Sequence, residues 1–335
     1  MQISLRTAIT LTLIVIIVLG SAFYFYAGQQ RRAEEARLAL QNQKIWKLGF
    51  FVLAEKDVQS ENFQGFKSEM EKLGYKDGVN AAYIIRQADR NKPEETERAA
   101  KEMNEADLDI ILTGSTFAAE ILKKLPDLKT PIFFLAAGRP TALVKNFGAP
   151  EGFITGIGEP TAEFAGKRLE FLKELAPSLK KVVSIADRGH PTAQAFIKSV
   201  EDAAKLLGIK TEVFEVDKPD ELLNKLSLIL REGGTNAYIA CSCPSNTKYP
   251  KELADYLRRN KIPSISDEVE VGAKIGWLAT YSNDRRKAGE RGAISVDQIL
   301  KGKPISQIPV EIAKDVLLEI NLKTANIIGI TIPES

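Results

Sequence analysis

The chain is poor in the residues that most often carry chemistry. Its 335 residues include two cysteines, Cys241 and Cys243, and one histidine, His190. A structural zinc site takes about four Cys or His ligands, so none can be assembled from this set. No Walker phosphate loop, zinc-hydrolase motif or Gly-x-Ser-x-Gly elbow occurs, and no enzyme activity or cofactor is expected. An excess of one charge is also missing, since 46 Lys and Arg stand against 44 Asp and Glu. Five of those cations but only two of the carboxylates fall in the first 44 residues, leaving the remainder about one charge negative. Phosphate backbones need a basic face, which argues against nucleic acid as a partner. No sustained repeat or low-complexity tract appears.

What is present begins with an apolar run. Ala8 to Ala27 contains no charged residue, and about twenty helical residues span the roughly 30 Å hydrocarbon core of a bilayer. Phe23, Tyr24, Phe25 and Tyr26 close it where an aromatic belt would meet headgroups. Arg6, the apolar run and Gly20-Ser21-Ala22 also fit a signal peptide cleaved after Ala22, so residues 1–28 read as transmembrane anchor or signal segment. No Cys follows the run, which excludes a bacterial lipoprotein anchor. Arg31, Arg32 and Arg37 behind it oppose export under the positive-inside rule, whereas the short N-terminal side favours it. Residues 29–44 read as a charged helical spacer.

From Ile45 onward short apolar runs alternate with amphipathic stretches. Strands are expected at Ile45–Leu53, Ala81–Ile85, Asp109–Leu112, Pro131–Leu135 and Phe153–Gly158. A second series follows at Val182–Ala186, Thr211–Val216, Ala237–Ala240, Pro263–Ser266 and Ile275–Thr280, with helices between. This pattern predicts an α/β protein of two doubly wound parallel-sheet lobes behind an N-terminal transmembrane helix. Lobe 1 is expected over 45–158, lobe 2 over 159–281, with 282–333 (helix Arg285–Leu300, strand Leu317–Asn321 and a last helix) returning to lobe 1.

Several phrases then fall in a familiar order. They include Gly65-Phe66-Lys67, Leu73-Gly74-Tyr75, Asp109-Ile110-Ile111-Leu112-Thr113-Gly114-Ser115-Thr116 and Leu172-Lys173-Glu174-Leu175-Ala176-Pro177. Ile299-Leu300-Lys301-Gly302-Lys303-Pro304 leads into Asn321-Leu322-Lys323-Thr324-Ala325 and Gly329-Ile330-Thr331-Ile332-Pro333. Together they resemble the ABC-transporter substrate-binding protein family that includes tryptophan- and tyrosine-binding members. The resemblance implies a type I periplasmic-binding fold, placed at the extracytoplasmic face of the membrane. It also implies a small polar ligand, an amino acid or related carboxylate, held by hinge closure, and an ABC permease as partner. A ligand-sensing module of the same fold, reporting to a separate signalling chain, is the alternative. The chain departs from the family at Ala137-Gly138-Arg139-Pro140, where members often carry Thr-Asp-Pro-Val, and at Asp187-Arg188, where Tyr-Asn is common.

Open parallel sheets bind ligands outside the carboxyl ends of their strands. Ser115 and Thr116 start a helix there, and a helix N-terminus attracts carboxylate or phosphate. Arg139 can clamp a carboxylate, and Asp187, Asp267 or the neighbouring Glu268 can meet an ammonium group from the opposite lobe. Ser245 and Asn246 lie in a polar loop after a strand, and Tyr281 lines the hinge or stacks on a ligand. His190 before Pro191 is read as a helix start. Cys241 and Cys243 are small buried residues, a redox pair or metal ligands.

Overall fold

The computed structural model describes residues 25–26, 29–31, 44–53, 55–89, 92–231, 237–269 and 271–332. The expected membrane segment lies outside these residues apart from Phe25 and Tyr26, and most of the 29–44 spacer does too. Among the described residues no helix is long and apolar enough to cross a membrane.

Apolar runs become buried strands. β1 (Trp46–Val52), β2 (Ala81–Gln87), β3 (Ile110–Thr113), β4 (Ile132–Ala137) and β5 (Ile154–Gly158) belong to one sheet. Its order is β11-β5-β4-β3-β1-β2, where β11 is Glu311–Ile312, and every pairing is parallel. β3, β4 and β5 are buried almost throughout, as strands covered by helices on both faces must be. Phe50, Phe63, Phe66 and Met70 fill one face of the sheet, while Phe51, Met103, Leu122 and Phe134 fill the other.

The second sheet contains β6 (Lys181–Asp187), β7 (Lys210–Val216), β8 (Ala237–Ile239), β9 (Ser264–Ser266), β10 (Ala279–Asn283) and β12 (Val316–Ile320). Its order, β12-β10-β9-β8-β6-β7, repeats that of the first. β10 begins four residues later than expected, because Gly272–Ile275 is a short helix ended by Gly276 at φ 116°.

Helix Arg285–Leu300 returns to the first lobe and packs against helix Glu61–Lys72. Two glycines allow this contact: a Cβ on Gly289 would overlap the Asn62 carbonyl oxygen, and one on Gly65 the Arg286 carbonyl oxygen. β11 then extends the first sheet beside β5. The return stops there. β12 pairs antiparallel with β10, Leu318 opposite Tyr281, so the last strand belongs to the second lobe rather than the first. Helix Leu322–Ile328 follows it, with Asn321 accepting from the Thr324 amide at 2.9 Å and Ala325 entering the second core. The cause is local: β10 offers an open edge beside Asp315, and a short antiparallel return reaches it without another helix.

The chain therefore crosses between lobes three times, at Glu159–Phe164, around Asp284 and around Lys314. These crossings bond to one another. The Ala313 amide donates to the Gly158 carbonyl, Asn283 Nδ2 to the Ala313 carbonyl, and the Asp284 amide to the Asp315 carbonyl, each at 2.9 Å.

Candidate functional site: a cavity between the lobes

The two sheets turn their carboxyl ends toward each other, and loops from both border an open cavity of about 560 Å³. That volume lies within the range of small-molecule sites. The first lobe contributes Ser115, Thr116, Phe117 and Glu120 from one helix, with Ala136, Gly138 and Arg139 from the end of β4. Thr161 comes from the first crossing, while His190, Thr192 and Ser242 come from the second lobe.

Local rules set this lining. Ser115 is an extended N-cap whose Oγ accepts from the Ala118 amide at 3.3 Å, starting helix Thr116–Lys123. Thr116 Oγ1 accepts from the Arg139 amide at 3.0 Å, tying the β4 loop to that helix. The Arg139 guanidinium lies 3.5 Å from the Glu120 carboxylate, so this cation already has a partner at the cavity. His190 caps helix Pro191–Leu207, its Nδ1 accepting from the Thr192 amide at 3.3 Å. It therefore both starts a helix and faces the cavity.

Of the residues expected at the site, Ser115, Thr116 and Arg139 line the cavity, whereas Asp187, Ser245, Asn246, Asp267 and Tyr281 do not. Asp187 is buried and accepts from the Ser245 amide at 2.9 Å. Asn246 donates to the Ile185 carbonyl and accepts from Tyr238 Oη, both at 2.7 Å. These bonds fasten helix Pro244–Lys248 to β6 and β8. Tyr281 packs its ring against Phe164 and Phe171 in the second core. Asp267 is buried beside Arg168. Phe117, Glu120, Thr161, His190, Thr192 and Ser242 are cavity residues that the expected site omitted. Their signal was position alone, immediately beyond a strand or at a crossing.

Two further features border the cleft. Cys241 and Cys243 are buried and joined by a disulfide, so Ser242 is presented from a closed three-residue loop. Among the described residues no group of three His, Cys, Asp or Glu is placed to hold a metal. Glu159, at the first crossing, is buried and accepts from Asn62 Nδ2 at 2.6 Å. Burial pushes its carboxyl up to about 7, with Asp284 adding to the effect while Arg285 and the Asn62 bond oppose it.

Comparison with known proteins gives this cleft a context. A family described as ABC transporter substrate binding protein matches residues 47–335. A tyrosine-binding protein of Clostridioides difficile (strain R20291) is 26% identical over 325 residues, covering 94% of this chain and 90% of its own. The fold is similar to an ABC domain in complex with L-Trp from Streptococcus pneumonia, with TM-score 0.75 and 21% identity over 87% of this chain and 97% of that one. It is also similar to the ligand-free, open form of a substrate-binding protein with adhesive properties from Clostridium difficile. There the TM-score is 0.68 and the identity 23%, over 86% of this chain and 96% of the other.

Proposed function

Because the chain belongs to the ABC transporter substrate-binding protein family, we propose that it is the extracytoplasmic binding component of an ABC import system. The solute is an amino acid, with aromatic amino acids first in line. The observation that carries this reading is a cavity lined from both lobes, with Ser115, Thr116 and Arg139 facing His190, Thr192 and Ser242. A solute that touches both sides stabilises the closed arrangement by the difference in its contacts between the two states, and a solute touching one side does not. The similarity to a tyrosine-binding protein, and in fold to a domain crystallised with L-Trp, supports an aromatic amino acid. The closed form is what a permease would recognise. The apolar run Ala8 to Ala27 would hold the protein at the outer face of the membrane.

The test is the melting temperature of the full chain in mild detergent against amino acids, small carboxylates, nucleosides and sugars. A solute at one hundred times its dissociation constant adds about 2.7 kcal/mol, enough to move the transition visibly. A rise with tyrosine or tryptophan is the expected result. A rise confined to nucleosides or sugars refutes the amino-acid reading.

A further inference from the structure

One guanidinium among the described residues is buried yet far from satisfied. Arg168 sits in the first turn of helix Ala165–Leu175, its side chain wholly removed from solvent. Nη2 donates to the Thr161 carbonyl at 2.5 Å, but Nε and Nη1 have no hydrogen-bond acceptor. An Asp267 oxygen lies 3.7 Å from Nη1, close enough to attract and too far to accept a hydrogen bond. Burial disfavours the charged form of Arg168 and Arg285 adds repulsion, while Asp267 and Tyr281 act the other way. A planar cation with five donors is seldom left this way unless something else supplies acceptors.

Its position says where that acceptor would come from. Thr161, the residue it holds, is part of the cavity wall. Asp267 follows the carboxyl end of β9, on the side of the second sheet that faces the first lobe. Arg168 itself is not part of the cavity wall; its guanidinium stands behind Thr161 at the first crossing. We propose that Arg168 is the anion-recognising group of the cleft, and that the solute carries a carboxylate which completes its hydrogen bonding. This rests on the binding-protein reading above and specifies the charge of its ligand.

Arg139 is the more obvious cation, but it is 42% exposed and already within 3.5 Å of Glu120. Water and that carboxylate weaken its call on a solute. Arg168 is dry, and a charge-assisted hydrogen bond is strongest where water is excluded. Asp267 favours the charged form of the guanidinium without occupying its donors. On this proposal the crossing segment that carries Thr161 must shift for a solute to reach Arg168, which a hinge motion of the lobes would supply.

The experiment is calorimetric titration of the full chain with four acid–amide pairs: tryptophan, tyrosine, leucine and glutamine, each against its α-carboxamide. Native protein is expected to bind one acid about ten- to a hundredfold tighter than its amide. Arg168→Gln is expected to lose that discrimination while still binding the amide. Equal affinity for acid and amide in the native chain overturns the proposal, as does discrimination that survives in Arg168→Gln. Binding of leucine or glutamine alone refutes the aromatic reading, and Arg168 is then judged on that pair. No binding of any acid overturns the proposal. If Arg168→Gln shows no native melting transition, Arg168→Met takes its place; it fills the buried site without a charge, and discrimination that survives in it refutes the assignment equally.

Discussion

Replacing Glu159 with Gln should flatten one component of the protein's pH dependence. The carboxyl is buried at the first crossing and its pKa is pushed up to about 7, against an ordinary value of 4.5, chiefly by burial. The raised value means that the folded state holds this proton more tightly than the unfolded chain. Between about pH 4.5 and 7 the folded protein keeps the proton while the unfolded chain has released it. Stability from this group is therefore full below that window and is lost as pH rises through it. With about 1.4 kcal/mol for each tenfold change in proton affinity, the loss is about 3 kcal/mol. Glu159→Gln keeps the shape and an acceptor for Asn62 Nδ2 but carries no titratable proton. Urea denaturation of both proteins at pH 5, 6, 7 and 8 gives the comparison. The variant's stability minus that of the native chain should grow by about 2.5 kcal/mol from pH 5 to pH 8. A difference that stays constant across this range, or one that shrinks, refutes the assignment of a buried protonated carboxyl at the hinge. Using the difference cancels every other titrating group, and also any fixed cost of the amide.

Other outcomes follow from the same geometry. Gly289→Ala places a methyl against the Asn62 backbone between two packed helices, and should lower stability by about 1–3 kcal/mol in chemical denaturation; an unchanged midpoint would mean those helices can separate freely. Ser115→Ala removes the cap of helix Thr116–Lys123 and should cost about 1 kcal/mol of stability, measured the same way. Asp187→Ala leaves the buried Ser245 amide without its acceptor and should cost about 1–3 kcal/mol. If Asp187 instead served the solute, affinity would fall and stability would not. Arg139→Ala should change solute affinity less than Arg168→Gln does, because Glu120 already engages Arg139; calorimetry on both variants decides the order.

Much of the architecture could be read from residue order, for a physical reason. A strand buried on both faces has to be a short apolar run, so Phe50, Ile111 and Phe133 announced their strands directly. The fate of the tail was not readable in that way. Val316–Ile320 is a plausible strand in either lobe, and only the open edge of β10 decides its partner. The start of β10 was misplaced because Ile275, Trp277 and Leu278 make one apolar run interrupted by a glycine turn at Gly276.

The site divides along a similar line. Ser115, Thr116 and Arg139 were legible because they follow carboxyl ends of the first sheet, and the fold brings them to the cavity. Asp187, Ser245 and Asn246 satisfy the same positional rule, yet they bond to one another's backbone or to β6. Sequence tells which polar residues lie beyond a strand, but not whether a neighbouring amide or carbonyl will take them. Arg168 was invisible for the converse reason. It sits on a helix among charged neighbours that face water, and only the packing shows that this one turns inward.

The most direct test of the account measures whether a solute draws the lobes together. Lys92 and Lys218 are both exposed and lie beyond β2 and β7, the edge strands farthest from the crossings. Spin labels on Lys92→Cys and Lys218→Cys report the separation of the two rims by pulsed electron resonance. With a saturating amino acid that raises the melting temperature, the distance distribution should narrow and shift to shorter values. A distribution that does not move while the same amino acid binds would contradict closure around a solute shared by both lobes.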